Sequence, residues 1–352
     1  MSREVAIVSV AQAPSKRREL ERNEVEILMP VVAEAVERSG IAKREIGFTV
    51  SGSCDYLAGQ PFSFVSALDA VGAWPPITES HVEMDGAFAL YEAWVKIQTG
   101  QLESAVVYAF GKSSMGDPAA VLTLQLDPYY LAPLGVDATS LEALQARKLL
   151  DGGRVSERDL AEIAVRSRRA AKDNPNAQLR GDFEVEKLLA EPFVASPLRE
   201  HDCPPISDGA AAVVLAAGDL ARRVAKRPAF IRGIDHRIEV QALGLRDLTR
   251  SASTRLAAEK AGVAGGRVDV AELHAAYTHH EPILRDALGL GPDTVVNPSG
   301  GALCANPIMV AGLLRIAEAA KRVLEGGAGR AVAHATSGPC LQQNLVCVLE
   351  GK

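Results

Sequence analysis

The feature that most constrains this fold is a set of short, almost wholly apolar segments spaced along the chain. The clearest are SAVVYAF at residues 104–110 and SDGAAAVVLA at residues 207–216. Each is short enough to be a strand and apolar enough to be buried on both faces. Helical stretches separate such segments, as at residues 86–97, where apolar side chains recur at helical spacing. This alternation predicts an α/β fold with a parallel, buried sheet.

The same order of elements runs through the chain twice. Strands are predicted first at residues 5–10, 46–50, 77–82, 104–110 and 207–216, and then at 229–235, 268–273, 330–335 and 344–349. Residues 113–203 interrupt the first pass with two helical stretches and a polar loop, which predicts an inserted helical lid. We therefore divide the chain into two similar halves, residues 1–225 with the lid and residues 226–352 without it.

Composition argues against several classes of function. The 352 residues are 47% hydrophobic and 23% charged, with a net charge of -6, so nothing favours nucleic acid as a partner. No apolar run is long enough to span a bilayer, and the start of the chain lacks a signal-peptide layout. The five cysteines form no CxxC pair, which argues against a zinc site, and nothing in the sequence implies another metal. We expect a cytoplasmic protein with free thiols.

A run of histidines gives the first functional signal. The segment VDVAELHAAYTHHEPI, residues 268–283, begins as a strand and then carries His274, Tyr277, His279 and His280. Ligands of open α/β sheets bind at the carboxyl ends of strands, and imidazoles move protons near neutral pH. The alternative for these histidines is a helix start that faces solvent, and for Tyr277 a partly buried aromatic ring.

Four segments, in order, resemble motifs of the thiolase superfamily. They are DCPPISDGAAAVVL (202–215), AELHAAY (271–277), NPSGGALCANP (297–307) and GPCLQQNLVCVLEG (338–351). The resemblance is to the sterol-carrier-protein-type thiolases and the actinobacterial lipid-transfer proteins. It implies a thiolase fold, a five-layer αβαβα sandwich made of two similar halves. It also implies carbon–carbon bond chemistry on an acyl-CoA, with no cofactor beyond the coenzyme A of the substrate.

The departures from the family motifs shape the prediction of the site. An alignment on Gly86 puts Glu83 where the family has its nucleophilic cysteine, and Asn306 replaces the histidine of the NPxGGxxxxGHP motif. The resemblance therefore implies a homologue that lacks the nucleophile. The candidate catalytic residues are His274, Glu83, Tyr277, Asn306 and Cys340, and the residues expected to hold the thioester are Ser299, Gly300 and Gly301. Glu83 could instead be a carboxylate that stabilises a helix start, and Cys340 a buried structural thiol.

Three functions are consistent with these candidate residues. The first is a retro-aldol lyase that cleaves a steroid or lipid side chain from an acyl-CoA without an acyl-enzyme. The second is a non-catalytic, thiolase-like subunit of a heteromeric aldolase or thiolase, and the third is an enzyme of the acetyl-CoA acetyltransferase type. Acyl or sterol carriage without chemistry is weaker, because the chain has no sterol-carrier segment. The resemblance implies a homodimer, or a heteromer with another thiolase-like chain and a small zinc-ribbon/OB-fold protein that binds acyl-CoA.

Overall fold

The strands confirm the α/β class. A computed structural model describes residues 3–74 and 76–351. Its strands are β1 (Val5–Gln12), β2 (Thr49–Gly52), β3 (Glu79–Val82), β4 (Ser104–Gly111), β5 (Phe193–Ala195), β6 (Leu198–Arg199), β7 (Gly209–Ala217), β8 (Ala229–Ile238), β9 (Val270–Glu272), β10 (Val295–Val296), β11 (Arg330–Ser337) and β12 (Gln343–Glu350). Strands β5 and β6 form a separate hairpin, and the other ten share one sheet.

The helices include every one that the sequence predicts, together with several short ones. They are α1 (Glu24–Ser39), α2 (Asp55–Ala58), α3 (Ser63–Val71), α4 (Gly86–Gln98), α5 (Pro118–Thr123), α6 (Ala138–Asp151), α7 (Glu157–Ala170), α8 (Val185–Leu189), α9 (Gly218–Val224), α10 (Ala252–Ala261), α11 (His280–Leu288) and α12 (Ala311–Leu324). Helices α5 to α8 lie in the insertion between β4 and β7. Within the described ranges, none combines the length and the apolar character needed to cross a membrane.

The ten-stranded sheet consists of two halves with the same topology. Its order is β3-β2-β4-β7-β1-β8-β12-β11-β9-β10. Only two residue pairs join β1 to β8, Ala6 with Phe230 and Ile7 with Ala229. On either side of this seam the first strand pairs with the fifth, the fifth with the fourth, the fourth with the second and the second with the third. The expected repeat of two similar halves is therefore confirmed.

The prediction of a parallel sheet is only partly right, because each half is mixed. Strand β2 is parallel to β3 and β4, and β9 is parallel to β10 and β11. Strand β7 runs antiparallel to β1 and β4, and β12 runs antiparallel to β8 and β11. A turn or an insertion that returns directly beside its own strand gives an antiparallel pair, whereas a parallel pair needs a crossover. Strand β12 follows β11 through such a turn.

Helices cover both faces of the two halves, which gives five layers. Helices α1, α3 and α9 pack with the apolar side chains on the outer face of the first half. Helices α10 and α11 do the same on the second half. Between the halves lie α4 and α12, whose apolar side chains share one core with strands from both. Half of the buried residues of these two helices are alanine or glycine, and these small residues let each helix approach both sheets closely.

One carboxylate joins the N-termini of the two central helices. Oδ1 of Asp85 accepts from the backbone N–H of Ala87 at 2.8 Å and of Leu313 at 2.9 Å, and Oδ2 accepts from that of Gly312 at 2.8 Å. Asp85 thus caps α4, its own helix, and also α12 from the other half. A Cβ atom at Gly312 would lie 2.5 Å from Oδ1, so glycine permits this approach. Both helix dipoles favour a negative charge at this point.

Replacement of Asp85 by alanine should destabilise the whole fold. It removes two helix caps and leaves three buried N–H groups without an acceptor, so we expect a loss of about 2–4 kcal/mol in the free energy of unfolding. Urea denaturation measures this loss. Asp117→Ala is the matched control, since Asp117 caps only the exposed helix α5 and should cost about 0.5–1 kcal/mol. Equal losses in the two variants would contradict the double-cap role.

Candidate active site

A cavity of about 160 Å³ lies at the junction of the two halves and the insertion. Asp85 reaches it from the tip of α4, and Leu122, Leu126 and Glu142 reach it from the insertion. The second half contributes the segment after β9, the loop before α12 and the end of β11. Side chains that are far apart in the sequence therefore meet at the carboxyl ends of β9 and β11, where ligands of such sheets bind.

His274 and Asn306 form a hydrogen-bond donor pair on one wall. The backbone N–H of Thr336 donates to Nδ1 of His274 at 3.3 Å. The proton of the neutral ring is then on Nε2, which donates to Oδ1 of Asn306 at 3.2 Å. Burial, with a smaller contribution from His334, lowers the pKa of His274 to about 3. His274 is therefore neutral near pH 7 and orients Asn306, so the pair offers the side-chain NH₂ of Asn306 to an oxyanion rather than a base.

A buried carboxylate–imidazole pair also lines the cavity. Oε2 of Glu142 accepts from Nε2 of His280 at 2.7 Å, and Oε1 accepts from the backbone N–H of Cys340 at 2.7 Å. Nε2 of His279 lies 3.3 Å from the same Oε2. Burial raises the pKa of Glu142, but the two imidazoles outweigh burial and hold it well below its usual range. His280 and Glu142 line the cavity, whereas His279 does not.

Tyr277 and Cys340 have different positions relative to this cavity. Tyr277 lines it, with its ring 5.4 Å from that of His280, and burial raises the pKa of its hydroxyl well above the usual range. The Cys340 thiol is buried and points to the carbonyl oxygen of Leu141 at 3.5 Å. Burial also raises the pKa of this thiol. The structure thus brings together His274, Asn306 and Tyr277, while Cys340 contributes its backbone N–H.

The expected position of Glu83 at the tip of α4 is wrong. Its side chain is 48% exposed, and it accepts from the backbone N–H of Asp55 at 2.7 Å. His81 Nε2 lies 3.2 Å from its other oxygen. The residue that caps α4 and faces the cavity is Asp85, because the chain turns between β3 and the helix and directs Glu83 outward.

The loop of Ser299, Gly300 and Gly301 is buried beside the cavity and does not line it. Ser299 donates from its hydroxyl to Glu272 at 2.7 Å and from its backbone N–H at 3.0 Å. Arg315 forms a buried ion pair with Glu272 at 2.8 Å. The backbone N–H groups of Gly300 and Gly301 donate within the loop itself. In this conformation the three residues hold the loop in place ahead of Asn306, and their N–H groups are not directed to the cavity.

Comparison with known proteins identifies the family. No protein-family profile matches the chain. An acetyl-CoA acetyltransferase from Methanothermobacter thermautotrophicus is 30% identical over 284 residues, which cover 72% of this chain and 73% of that protein. The chain belongs to the thiolase family. The resemblance to thiolases that the four sequence motifs indicated is thus confirmed at the level of the family.

Two solved structures show that this thiolase-family chain has the fold throughout its length. The "Ltp2-ChsH2(DUF35) aldolase" has a TM-score of 0.80 at 19% identity, and the match covers 99% of this chain and 97% of that one. The acetyl-CoA acetyltransferase of Bacillus anthracis has a TM-score of 0.79 at 18% identity, with coverage of 100% and 99%. At these identities the likeness establishes the fold alone. The predicted thiolase fold is confirmed.

Sequence reasoning missed two cavity residues of this thiolase-family site, Asp85 and Glu142, and did not distinguish His280 from His279. Asp85 was passed over because the alignment on Gly86 selected Glu83. The THH run did attract attention to His280, but nothing in it showed which histidine faces the cavity. Glu142 lies 138 residues from His280 on a helix of the insertion, and no motif links the two. Only the fold brings this carboxylate and this imidazole together.

Acidification should destabilise the protein below about pH 6.5. Burial lowers the pKa of His274 to about 3 and those of His279 and His334 to about 4, from 6.5. The unfolded chain therefore binds protons that the native state does not, and stability is lost as the pH falls from 6.5 towards these values. Each such group contributes at most about 1.4 kcal/mol per pH unit.

The test is the pH dependence of the unfolding free energy between pH 6 and pH 4.5, from urea denaturation. Replacement of the fully buried His334 by glutamine removes one of the three groups. The slope for His334→Gln should be shallower than that of the wild type by about 1 kcal/mol per pH unit. Comparing slopes separates this effect from any loss of packing, which lowers stability at every pH. Identical slopes would contradict the assignment of a neutral, buried imidazole.

Proposed function

We propose that this chain is an acyl-CoA carbon–carbon lyase of the retro-aldol type that forms no acyl-enzyme on cysteine. One observation carries the proposal. The cavity is lined by the hydrogen-bonded His274–Asn306 pair, which presents the Asn306 NH₂, and by the Glu142–His280 pair, and among the described residues no cysteine lines it. Donors that can hold an enolate and a pair that can move a proton are the groups that a retro-aldol cleavage needs.

The substrate class follows from this arrangement. In a β-hydroxyacyl-CoA, removal of the hydroxyl proton lets the Cα–Cβ bond break, with its electron pair passing into the thioester as an enolate. The carbon that carried the hydroxyl becomes the carbonyl carbon of the released ketone or aldehyde. The side-chain NH₂ of Asn306, oriented by the hydrogen bond between its Oδ1 and Nε2–H of His274, would hold the enolate oxygen. A proton added at Cα then gives the shortened acyl-CoA, so no proton is gained or lost overall.

The properties of the thiols support a route without covalent sulfur. A thiolase nucleophile must be a thiolate, which requires a lowered pKa. Burial raises the pKa of Cys203 to about 12. Burial also raises the pKa of Cys54, and Glu83 beside it acts in the same direction. Cys54 lies in a neighbouring cavity of about 10 Å³, next to Ile308 and Met309.

Substrate and partner are proposed by likeness. The printed title of one structural neighbour names an aldolase of two components, Ltp2 and ChsH2(DUF35). By likeness to it, we propose that this chain acts in a heteromer with a small companion of the zinc-ribbon/OB-fold type that binds acyl-CoA, on the side chain of a steroid or another lipid. Coenzyme A would enter only as part of the substrate.

A second candidate is a non-catalytic, thiolase-like subunit, and the size of the cavity favours it. About 160 Å³ is smaller than the roughly 300–1,000 Å³ of most ligand sites. In the lyase, residues of the insertion such as Leu122 and Leu126 would have to move outward to admit substrate. In a subunit without chemistry, the closed cavity would simply be vestigial. Activity measured with and without the partner separates the two candidates.

The lyase proposal is tested with 3-hydroxy-3-methylbutyryl-CoA and with a β-hydroxyacyl-CoA on a bulkier ring. We expect the chain, alone or with its partner, to release a ketone and a shorter acyl-CoA without added coenzyme A. Asn306→Ala should lower kcat by about 10²–10³-fold, because it removes a donor to the enolate oxygen. Mass spectrometry of both products is the measurement. Thiolysis of acetoacetyl-CoA with free coenzyme A should be absent.

Cysteine variants provide the control. Cys54→Ala and Cys203→Ala should each retain cleavage within a few-fold of the wild type, since neither thiol lines the cavity. A loss of more than 100-fold in either variant, or an acyl adduct trapped on a cysteine, would contradict the proposal. Cleavage that persists unchanged in the complex when both His274 and Asn306 are alanine would place the chemistry in another chain.

A further inference from the structure

The Glu142–His280 pair has the arrangement of an imidazole prepared to act as a base. Glu142 holds one ring nitrogen of His280, accepting from Nε2–H at 2.7 Å. The other nitrogen, Nδ1, is buried and has no hydrogen-bond partner in the described part of the chain. The proton of the neutral ring is therefore on Nε2, and Nδ1 carries an unused lone pair. The ring itself lines the cavity.

We propose that His280 is the catalytic residue that carries the proton in this reaction, with Glu142 as its positioning residue. The inference rests on the proposed lyase function. Nδ1 of His280 takes the proton of the β-hydroxyl as the Cα–Cβ bond breaks, and the bond electrons pass to the enolate held by Asn306. The same imidazolium then returns its proton to Cα, so His280 ends as it began.

The other acidic or basic groups around the cavity are already engaged. Nδ1 of His274 accepts from the backbone of Thr336, so that ring has no free lone pair. The Asp85 carboxylate is held by three backbone N–H groups. Glu83 lies outside the cavity and bonds to Asp55. His280 therefore remains as a cavity group with an unoccupied proton acceptor.

Glu142 supplies a negative charge that would stabilise an imidazolium at His280 during the reaction. In the described part of the chain its ion-pair partners are the two imidazoles, and no arginine or lysine is within ion-pair distance. A buried carboxylate needs a compensating charge, so protonation of His280 relieves an unpaired negative charge. A carboxylate that holds one imidazole nitrogen while the other takes a proton acts in the same way in the Ser-His-Asp triad. The backbone N–H of Cys340 fixes the orientation of Glu142.

His279 offers a matched control within the same cluster. It is buried, it lies 3.3 Å from the same carboxylate oxygen, and its Nδ1 also lacks a partner. It does not line the cavity. A structural role for the cluster would make the two histidines equivalent, whereas a role in proton transfer requires His280 alone. Nε2 of His279 instead lies 3.2 Å from Oε1 of Gln145, deeper in the protein.

The experiment compares His280→Asn, His279→Asn and Glu142→Gln with the wild type, in the full chain and with its partner. His280→Asn should lower kcat for cleavage by about 10²–10⁴-fold, and His279→Asn by no more than about 10-fold. Exchange of the α-protons of the product acyl-CoA in D₂O isolates the return of the proton to Cα. It should be lost in His280→Asn and kept in His279→Asn. Added imidazole should restore activity to His280→Ala, which a structural role would not allow.

Each outcome supports or overturns either the lyase function or the role of His280. If the wild type cleaves and His280→Asn does so at a similar rate, the proton inference fails while the lyase function stands. If Glu142→Gln retains the wild-type kcat, the carboxylate has no positioning role. If no wild-type preparation cleaves or exchanges, both proposals fail.

Glu142, His279 and His280 also have the spacing of a metal site. One equivalent of bound zinc by elemental analysis, with cleavage dependent on it, would replace the proton carrier by a metal and overturn the inference.

Discussion

The whole arrangement depends on one buried carboxylate that belongs to one half of the chain and caps a helix in each. Asp85 gives the N-termini of α4 and α12 a shared acceptor, so the central layer has a fixed point where the two halves meet. Burial raises the pKa of this carboxyl, and the three N–H donors act in the opposite direction. Because the cavity lies beside this point, the same contact that holds the halves together also sets the position of one wall of the site.

The polar groups of the cavity are held in place by hydrogen bonds and ion pairs with neighbouring residues. Thr336 fixes the tautomer of His274, Cys340 supports Glu142, and the Glu272–Arg315 pair holds the loop ahead of Asn306. Donors that are oriented before substrate arrives need no reorganisation as charge develops. The second half supplies the donor wall and the imidazole, while the insertion supplies the carboxylate. Movement of the insertion would therefore displace Glu142 from His280 and leave the His274–Asn306 pair in place.

The fold could be predicted well from the sequence, and the site only in part. Continuous apolar runs such as residues 104–110 indicate buried strands, and the four family motifs indicate the layers. Strand β10, of two residues, carries no period at all, and the direction of β7 depends on a return path that local pattern does not encode. His274 and Asn306 follow from the motifs. The position of Glu83 depended on a short turn, and the contact of Glu142 with His280 depends on the tertiary fold.

The narrow seam between β1 and β8 also has a consequence for cooperativity. Because only two residue pairs cross it, backbone pairing contributes little to the union of the halves. Their union rests on the side chains of α4 and α12, which occupy one interior with both sheets. The polypeptide between α9 and β8 is short, and Lys226 and Arg227 within it are exposed. A chain opened there would form two fragments whose mutual recognition rests on helix packing and on side-chain contacts such as those of Asp85 and Glu142, rather than on strand pairing.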